Sequence, residues 1–75
     1  MADRVFDAEE FSLRLQCAIV DLGSHSQVAM ACGLPKPTLE SYLYQRTSPG
    51  APQIALLCKG LNVSADWLLF GEGQQ

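Results

Sequence analysis

SHSQVAMACGLPKPTLESYLY, residues 24–44, is the stretch of this 75-residue chain that decides its fold. Ser24, followed three residues later by Gln27, is typical of a capping box, in which two side chains satisfy amides at a helix start. The apolar residues that follow recur at helical spacing: Val28, Ala29 and Cys32. Gly33 comes next, and glycine ends helices readily because it adopts the left-handed conformation without a Cβ clash. This half predicts a short helix from about His25 to Cys32.

The second half predicts another short helix, which starts at about Lys36. Its inward-facing positions are Leu39, Tyr42 and Leu43. Pro35 and Pro37 flank its start, where proline is tolerated because the missing amides have no helical partner. Both prolines also lack the N–H group that could donate a hydrogen bond to a phosphate. They therefore indicate either a rigid turn or a helix that binds a different target. A helix, a glycine turn and a second helix form a helix-turn-helix.

The stretch resembles the helix-turn-helix of the lambda-repressor-like (Xre/Cro) family. Val28-Ala29 stand at its "Leu-Ala" positions, Gly33 at its turn glycine, and Thr38-Leu39 at the opening of its recognition helix. Residues 61–73, LNVSADWLLFGEG, are similar to the closing "LxVsxDWLLxGEG" of phage-repressor amino-terminal domains. The resemblance spans roughly residues 10–73. It implies an all-α, compact five-helix domain that binds DNA.

The first helix is predicted to start at Ala8. Asp7 with Glu10 makes a second capping box, and Phe6 with Phe11 has the spacing of a hydrophobic staple. Its predicted buried face recurs every three or four residues: Phe11, Leu15, Ala18 and Leu22.

Two further helices are predicted after the helix-turn-helix. Pro52 is expected to open the fourth, and Gly60 to close it. Ser64 is expected to cap the fifth, and Gly71 to end it. We therefore expect one domain over residues 1–75, with an ordered core of about 7–71 and flexible ends.

Composition points to a globular protein of the cytoplasm. The apolar fraction is 48%, and neither a run of about 20 apolar residues nor a signal-peptide pattern occurs. Three widely spaced cysteines without a C-x-x-C pair indicate buried thiols in a reducing compartment: Cys17, Cys32 and Cys58. A chain of this length has room for one domain only.

Charge is unevenly distributed along the chain. The formal net charge is −3, whereas DNA-binding proteins usually carry a basic excess. Residues 22–63 carry Lys36, Arg46 and Lys59 against one acid, Glu40, so the centre is mildly basic. Acidic residues predominate in both flanking segments.

Catalysis is not expected. The sequence contains no nucleophile–base set at a known spacing, no glycine-rich phosphate loop and no metal-ligand cluster. We therefore expect no enzyme activity, no cofactor and no metal site.

Mapping the resemblance onto this chain gives the candidate DNA contacts. In a helix-turn-helix the second helix of the motif enters the major groove, and the first crosses the backbone with its amino end near phosphate. The candidate base contacts are Lys36, Pro37, Glu40 and Ser41. The candidate phosphate contacts are His25, Gln27, Tyr44, Gln45, Arg46, Thr47 and Ser48. Each is also a residue type common on solvated surfaces.

Two kinds of partner follow from these expectations. A monomer with few cationic contacts binds DNA weakly, so a homodimer on two half-sites is expected. Its candidate interface residues are Leu13, Cys17, Val20, Leu69 and Phe70. The acidic net charge, the two prolines and Tyr44 instead favour a protein that binds another transcription regulator, for example as an anti-activator, and both hypotheses stay open at this point.

Overall fold

The computed structural model describes residues 5–73, and that part of the chain contains five α-helices and no strand. The helices are α1 (Ala8–Leu22), α2 (His25–Cys32), α3 (Lys36–Leu43), α4 (Ala51–Leu61) and α5 (Ala65–Phe70). The predicted all-α, five-helix fold class is confirmed. The outermost parts of the predicted flexible ends, residues 1–4 and 74–75, lie outside the described residues. No helix in the described range is long and apolar enough to span a membrane.

The start of α1 is fixed by its own sequence. The Asp7 carboxylate accepts hydrogen bonds from the amides of Glu9 (2.9 Å) and Glu10 (3.1 Å). The rings of Phe6 and Phe11 pack with centroids 5.5 Å apart. These contacts confirm the predicted N-cap and hydrophobic staple, which together set the direction in which the chain enters α1.

All five helices contribute to one apolar core. Its buried residues are Phe11, Leu15, Ala18, Ile19, Val28, Ala29, Cys32, Leu39, Tyr42, Leu43, Leu57, Leu61, Val63 and Leu68. The prediction was wrong at Leu22, which is 47% exposed, while Ile19 is buried. Leu22 is the last residue of α1 and precedes the turn at Gly23, and the last turn of a helix has few neighbours to cover it.

The prediction that Gly60 closes α4 was also wrong. The helix continues to Leu61, and Asn62 ends it in the left-handed conformation, with φ 57°. Gly60 instead lies where α4 crosses α2. A Cβ at Gly60 would stand 2.7 Å from Cα and 2.8 Å from N of Cys32, closer than real Cβ atoms approach backbone. The glycine therefore permits the close approach of these two helices.

Polar contacts from α1 fix two other helices. The buried hydroxyl of Ser12 donates to the carbonyl oxygen of Leu43, at the end of α3. The guanidinium of Arg14 donates from Nε to the oxygen of Leu68 (3.0 Å) and from Nη2 to that of Leu69 (2.9 Å). These carbonyl groups lie at the carboxyl ends of helices, where no N–H group of the same helix is left to donate to them. Helix α1 thus satisfies the ends of both α3 and α5.

Candidate nucleic-acid interface

The turn between α2 and α3 has the geometry that the sequence predicts. The amide of Gln27 donates to Ser24 Oγ (3.2 Å), and the amide of Ser24 donates to Gln27 Oε1 (2.9 Å). Gly33 has φ 70° and ψ 30°, in the left-handed region. The amide of Leu34 donates to the oxygen of Ala29 (2.9 Å), which completes the helix stop. Two eight-residue helices are therefore held at a fixed angle.

The outward side of α3 gathers all four base-contact candidates. Lys36 and Pro37 are exposed, while Glu40 and Ser41 are half-buried. Positions three and four apart share one face of a helix, so Pro37, Glu40 and Ser41 form a row. The opposite side of α3 is buried in the core through Leu39, Tyr42 and Leu43.

His25 and Glu40 join the two helices of the motif across this surface. Nδ1 of His25 donates to Oε2 of Glu40 at 2.9 Å, and each side chain is about one third exposed. This hydrogen bond, more than the nearby charges of Lys36 and Arg46, lowers the pKa of the Glu40 carboxyl below its ordinary value. Glu40 is therefore an ionised carboxylate in the middle of the surface at neutral pH.

The loop of residues 44–50 continues the surface beyond α3. Thr47 Oγ1 donates to Ser41 Oγ (3.1 Å), and the amide of Arg46 donates to the oxygen of Ser41 (2.9 Å). The guanidinium of Arg46 lies 5.8 Å from the ring centroid of Tyr44, within cation–π range. Gln45 adopts φ 62°, so the backbone reverses immediately after the helix.

The structure brings most of the phosphate-contact candidates to this same side. Exposed among them are Gln27, Tyr44, Gln45, Arg46, Thr47 and Ser48, and His25 is half-buried. Gln27 and His25 are already engaged, the first in the cap of α2 and the second with Glu40. A narrow cleft lined by Phe6, Ala8, Tyr42 and Thr47 places the start of α1 beside the loop.

The dimer candidates fall into two groups. Leu13, Cys17 and Val20 are exposed on α1, whereas Leu69 and Phe70 are half-buried on α5. The first group lies opposite the side of α1 that packs into the core. The first group lines a shallow depression together with Gln16 and Asp21, and Leu69 and Phe70 are not among its lining residues.

Sequence reasoning missed two side-chain contacts that shape this site. His25 and Glu40 were considered one at a time, and Ser12 was not considered at all. The contact between His25 and Glu40 could have been predicted from the motif. The first residue of α2 and a residue in the middle of α3 lie close together when two short helices are joined by a tight turn. Nothing in the local sequence around Ser12 indicates that its hydroxyl reaches α3.

Cys17, Cys32 and Cys58 are free thiols. The prediction that all three are buried was wrong at Cys17, which is exposed on the outer side of α1, and Cys58 is only half-buried. Burial raises the pKa of the Cys32 thiol, and Cys58 nearby adds to the effect; burial also raises the pKa of Cys58. Both therefore stay protonated and unreactive at neutral pH. Within residues 5–73 no three side chains of metal-binding type come together.

No family model, curated protein or solved structure matches this chain. The resemblance to the lambda-repressor-like family therefore stays a prediction, carried by the sequence motifs.

Proposed function

We propose that this protein is a small transcription regulator that binds double-stranded DNA through α2, α3 and the loop of residues 44–50. The observation that carries the proposal is the exposure of two cations beside the outward row of α3, Lys36 at the start of the helix and Arg46 in the loop that follows it. A rigid pair of short helices with one exposed polar edge fits the major groove, which admits an α-helix.

Base recognition is assigned to the outward row of α3. Lys36 reaches guanine O6 and N7, and Ser41 can donate to or accept from several base edges. Pro37 offers apolar contact, for instance to a thymine methyl group. Glu40 can accept from cytosine N4, and His25 holds its carboxylate on the surface in the orientation seen here.

Phosphate contacts are assigned to both ends of the surface. Arg46 supplies the charge, with Tyr44 beneath its guanidinium, and the amides of the first turn of α2 supply neutral donors. The remaining contributors are Gln27, Gln45, Thr47 and Ser48. With so few cations, each monomer has a salt dependence of roughly 2 to 3 on a log–log scale.

A homodimer completes the proposal. Two copies on half-sites about one DNA turn apart double the phosphate contacts. The apolar residues assigned to that interface are the exposed Leu13, Cys17 and Val20 of α1 and the half-buried Leu69 and Phe70 of α5. A cytoplasmic location is part of the proposal, and the three free thiols support it because thiols persist in a reducing compartment.

A second candidate function is binding to another transcription regulator without DNA contact. Glu40 favours it, because an ionised carboxylate in the middle of the surface repels phosphate. Tyr44, 56% exposed, would serve as an aromatic anchor in such an interface.

A mobility-shift titration on the DNA upstream of the protein's own coding region tests the proposal. Lys36→Ala should reduce the preference for the specific site over unrelated DNA, because a base contact is lost. Arg46→Ala should weaken binding to all sequences alike, because a phosphate contact is lost. Lys59→Ala is the matched control, since Lys59 is exposed on α4, outside the surface.

Two outcomes contradict the proposal. Absence of retardation by the wild type at low and moderate salt favours the protein-binding function. Retardation that neither Lys36→Ala nor Arg46→Ala alters places the DNA contacts elsewhere on the molecule.

A further inference from the structure

Glu40 is the only acidic residue in the central segment of the sequence, residues 22–63, and it lies in the middle of the surface proposed to bind DNA. An ionised carboxylate there repels phosphate and so weakens binding to every DNA sequence alike. The hydrogen bond from His25 nevertheless keeps this side chain at the surface, about one third exposed. A group that lowers affinity in general can still contribute to DNA binding by discriminating between sequences.

The contact with His25 restricts where the Glu40 carboxylate lies. Nδ1 of His25 is 2.9 Å from Oε2 of Glu40, so the start of α2 holds a side chain from the middle of α3. A glutamate side chain that is free in solvent samples many rotamers, whereas this one is confined by its partner. The contact engages one oxygen, and an ionised carboxylate has about four acceptor positions in total. Acceptor capacity therefore remains exposed at a fixed place in the outward row of α3.

The other two side chains of the outward row discriminate less between bases. Pro37 has no hydrogen-bonding group on its side chain, and the hydroxyl of Ser41 both donates and accepts. That hydroxyl also accepts from Thr47 Oγ1 at 3.1 Å. Glu40 is therefore the side chain of the row that accepts and cannot donate.

The major-groove edges of the four bases differ in what they offer to a carboxylate. Cytosine presents the N4 amino donor, whereas guanine presents the acceptors O6 and N7 and thymine presents the acceptor O4. Adenine has a donor at N6 beside an acceptor at N7, so a carboxylate that accepts from N6 also meets a lone pair. Cytosine is thus the base that a fixed carboxylate favours, because the other three place an unpaired acceptor close to it.

We propose that Glu40, positioned by His25, determines sequence specificity: it requires a cytosine opposite the middle of α3 in each half-site and rejects guanine, thymine and adenine there. The inference rests on the proposed DNA-binding function and adds to it the base that the DNA must present. His25 is a positioning residue, because it acts on the base through the carboxylate of Glu40.

Selection from a library of randomised double-stranded DNA, carried out with the full chain, tests the inference. The sequences that the wild type enriches should contain one position per half-site at which cytosine predominates. Fluorescence anisotropy on the selected duplex should show that a change from C·G to T·A at that position weakens binding by about tenfold or more, as is usual for the loss of a base contact.

Glu40→Gln should change the selected base rather than abolish selection. A glutamine amide pairs with both N6 and N7 of adenine, so adenine should replace cytosine at the same position. The variant should also bind unrelated DNA more tightly, because a negative charge has left the surface. Glu9→Gln is the matched control, since it removes the same charge from the exposed first turn of α1 and should leave the selected sequence unchanged.

His25→Ala should reduce the preference for cytosine over thymine by roughly fivefold or more, because the carboxylate is no longer held in place. Its affinity for unrelated DNA should stay that of the wild type, since Glu40 and the cations of the surface remain. His25→Gln supplies a side-chain donor again and should recover most of the preference. A purely structural role of His25 would instead lower the affinity for all duplexes by the same factor.

Three results would overturn the inference. They are a wild-type motif without a fixed cytosine, a Glu40→Gln variant that selects the wild-type motif, and a His25→Ala variant that loses affinity for all duplexes equally. In each of them the wild type still binds DNA, so the proposed function stands. A wild type that enriches no sequence and binds no duplex contradicts the proposed function itself, and this inference with it.

Discussion

Glu40 determines how much positive potential the α2–α3 surface presents. Its carboxylate accepts a hydrogen bond from His25 and lies close enough to Lys36 and Arg46 for their charges to act on it. The two positive charges, one on Lys36 and one on Arg46, are therefore partly offset by the negative charge of Glu40. A modest attraction for phosphate is the most that this combination provides.

The pKa of Glu40 tests this arrangement at the scale of one residue. Its pKa lies below the ordinary value of 4.5, chiefly because of the hydrogen bond from His25. In His25→Ala it should therefore rise toward that value, as followed by the side-chain carboxyl carbon shift during a pH titration. Lys59→Ala is the control and should leave the pKa where it is. An unchanged Glu40 pKa in His25→Ala would show that the hydrogen bond does not hold the carboxylate.

The same shift predicts a pH dependence of stability. A carboxyl whose pKa is lower in the folded than in the unfolded protein stabilises the fold above the unfolded value, and that contribution is lost as pH falls through the folded value. The stability that wild type has over Glu40→Gln should therefore be constant above about pH 6 and shrink below pH 4.5. Urea unfolding at several pH values measures it. A difference that grows on acidification would contradict the assigned sign.

At the scale of elements, Gly60 tests how α2 and α4 pack. If Gly60 were an ordinary helical residue, Gly60→Ala would stabilise the protein by about 0.5–1 kcal/mol through helix propensity. The contact with the backbone of Cys32 predicts the opposite sign, a loss of about 1–3 kcal/mol from overpacking. Urea unfolding distinguishes the two, with Ala55→Gly on the exposed side of α4 as a propensity control. A more stable Gly60→Ala protein would refute the close approach.

Ser12 tests how α1 holds the end of α3. Ser12→Ala should reduce the free energy of unfolding by about 1–3 kcal/mol, because the buried carbonyl of Leu43 loses its donor. Ser26→Ala, an exposed serine on α2, is the control and should change stability by less than about 0.5 kcal/mol. Equal stabilities of the two variants would show that the Ser12 hydroxyl contributes no more than a solvated one.

Local signals in the sequence predicted most helix ends, whereas contacts between distant residues escaped prediction. Asp7 and Ser24 accept hydrogen bonds from amides, and Gly33 ends a helix, all within a few residues along the chain. Spacing in the sequence alone therefore predicts their roles. The Ser12–Leu43 and His25–Glu40 contacts join residues 31 and 15 positions apart and depend on how the helices pack. Gly60 fits a helix stop by sequence, and only the position of α2 reveals its packing role.

In the candidate site, too, local sequence patterns predict some features, whereas contacts between distant residues determine others. The residues of α3 that face outward follow from helical periodicity, because Leu39, Tyr42 and Leu43 fix the inward side. The effective charge of the surface does not follow from counting residues. It depends on which side chains meet Glu40, and that is a property of the packed helices.

At the scale of the whole molecule, two surfaces with different character lie on different sides of one small core. The α2–α3 surface carries Lys36 and Arg46, while the outer face of α1 carries the exposed apolar side chains of Leu13 and Val20. The positive charges of Lys36 and Arg46 are therefore local to one side of a protein whose net charge is −3.

The salt dependence of DNA binding tests most directly whether the positive charges around α3 outweigh Glu40. Fluorescence anisotropy on the upstream DNA between about 50 and 200 mM salt should give a log–log slope of roughly −2 to −3 per bound monomer. The slope should become shallower by about one unit per monomer in Arg46→Ala, which loses a phosphate contact, and should change less in Lys36→Ala, whose lost contact is to a base. No measurable binding at the lowest salt, or a slope that Arg46→Ala leaves unaltered, would contradict the account.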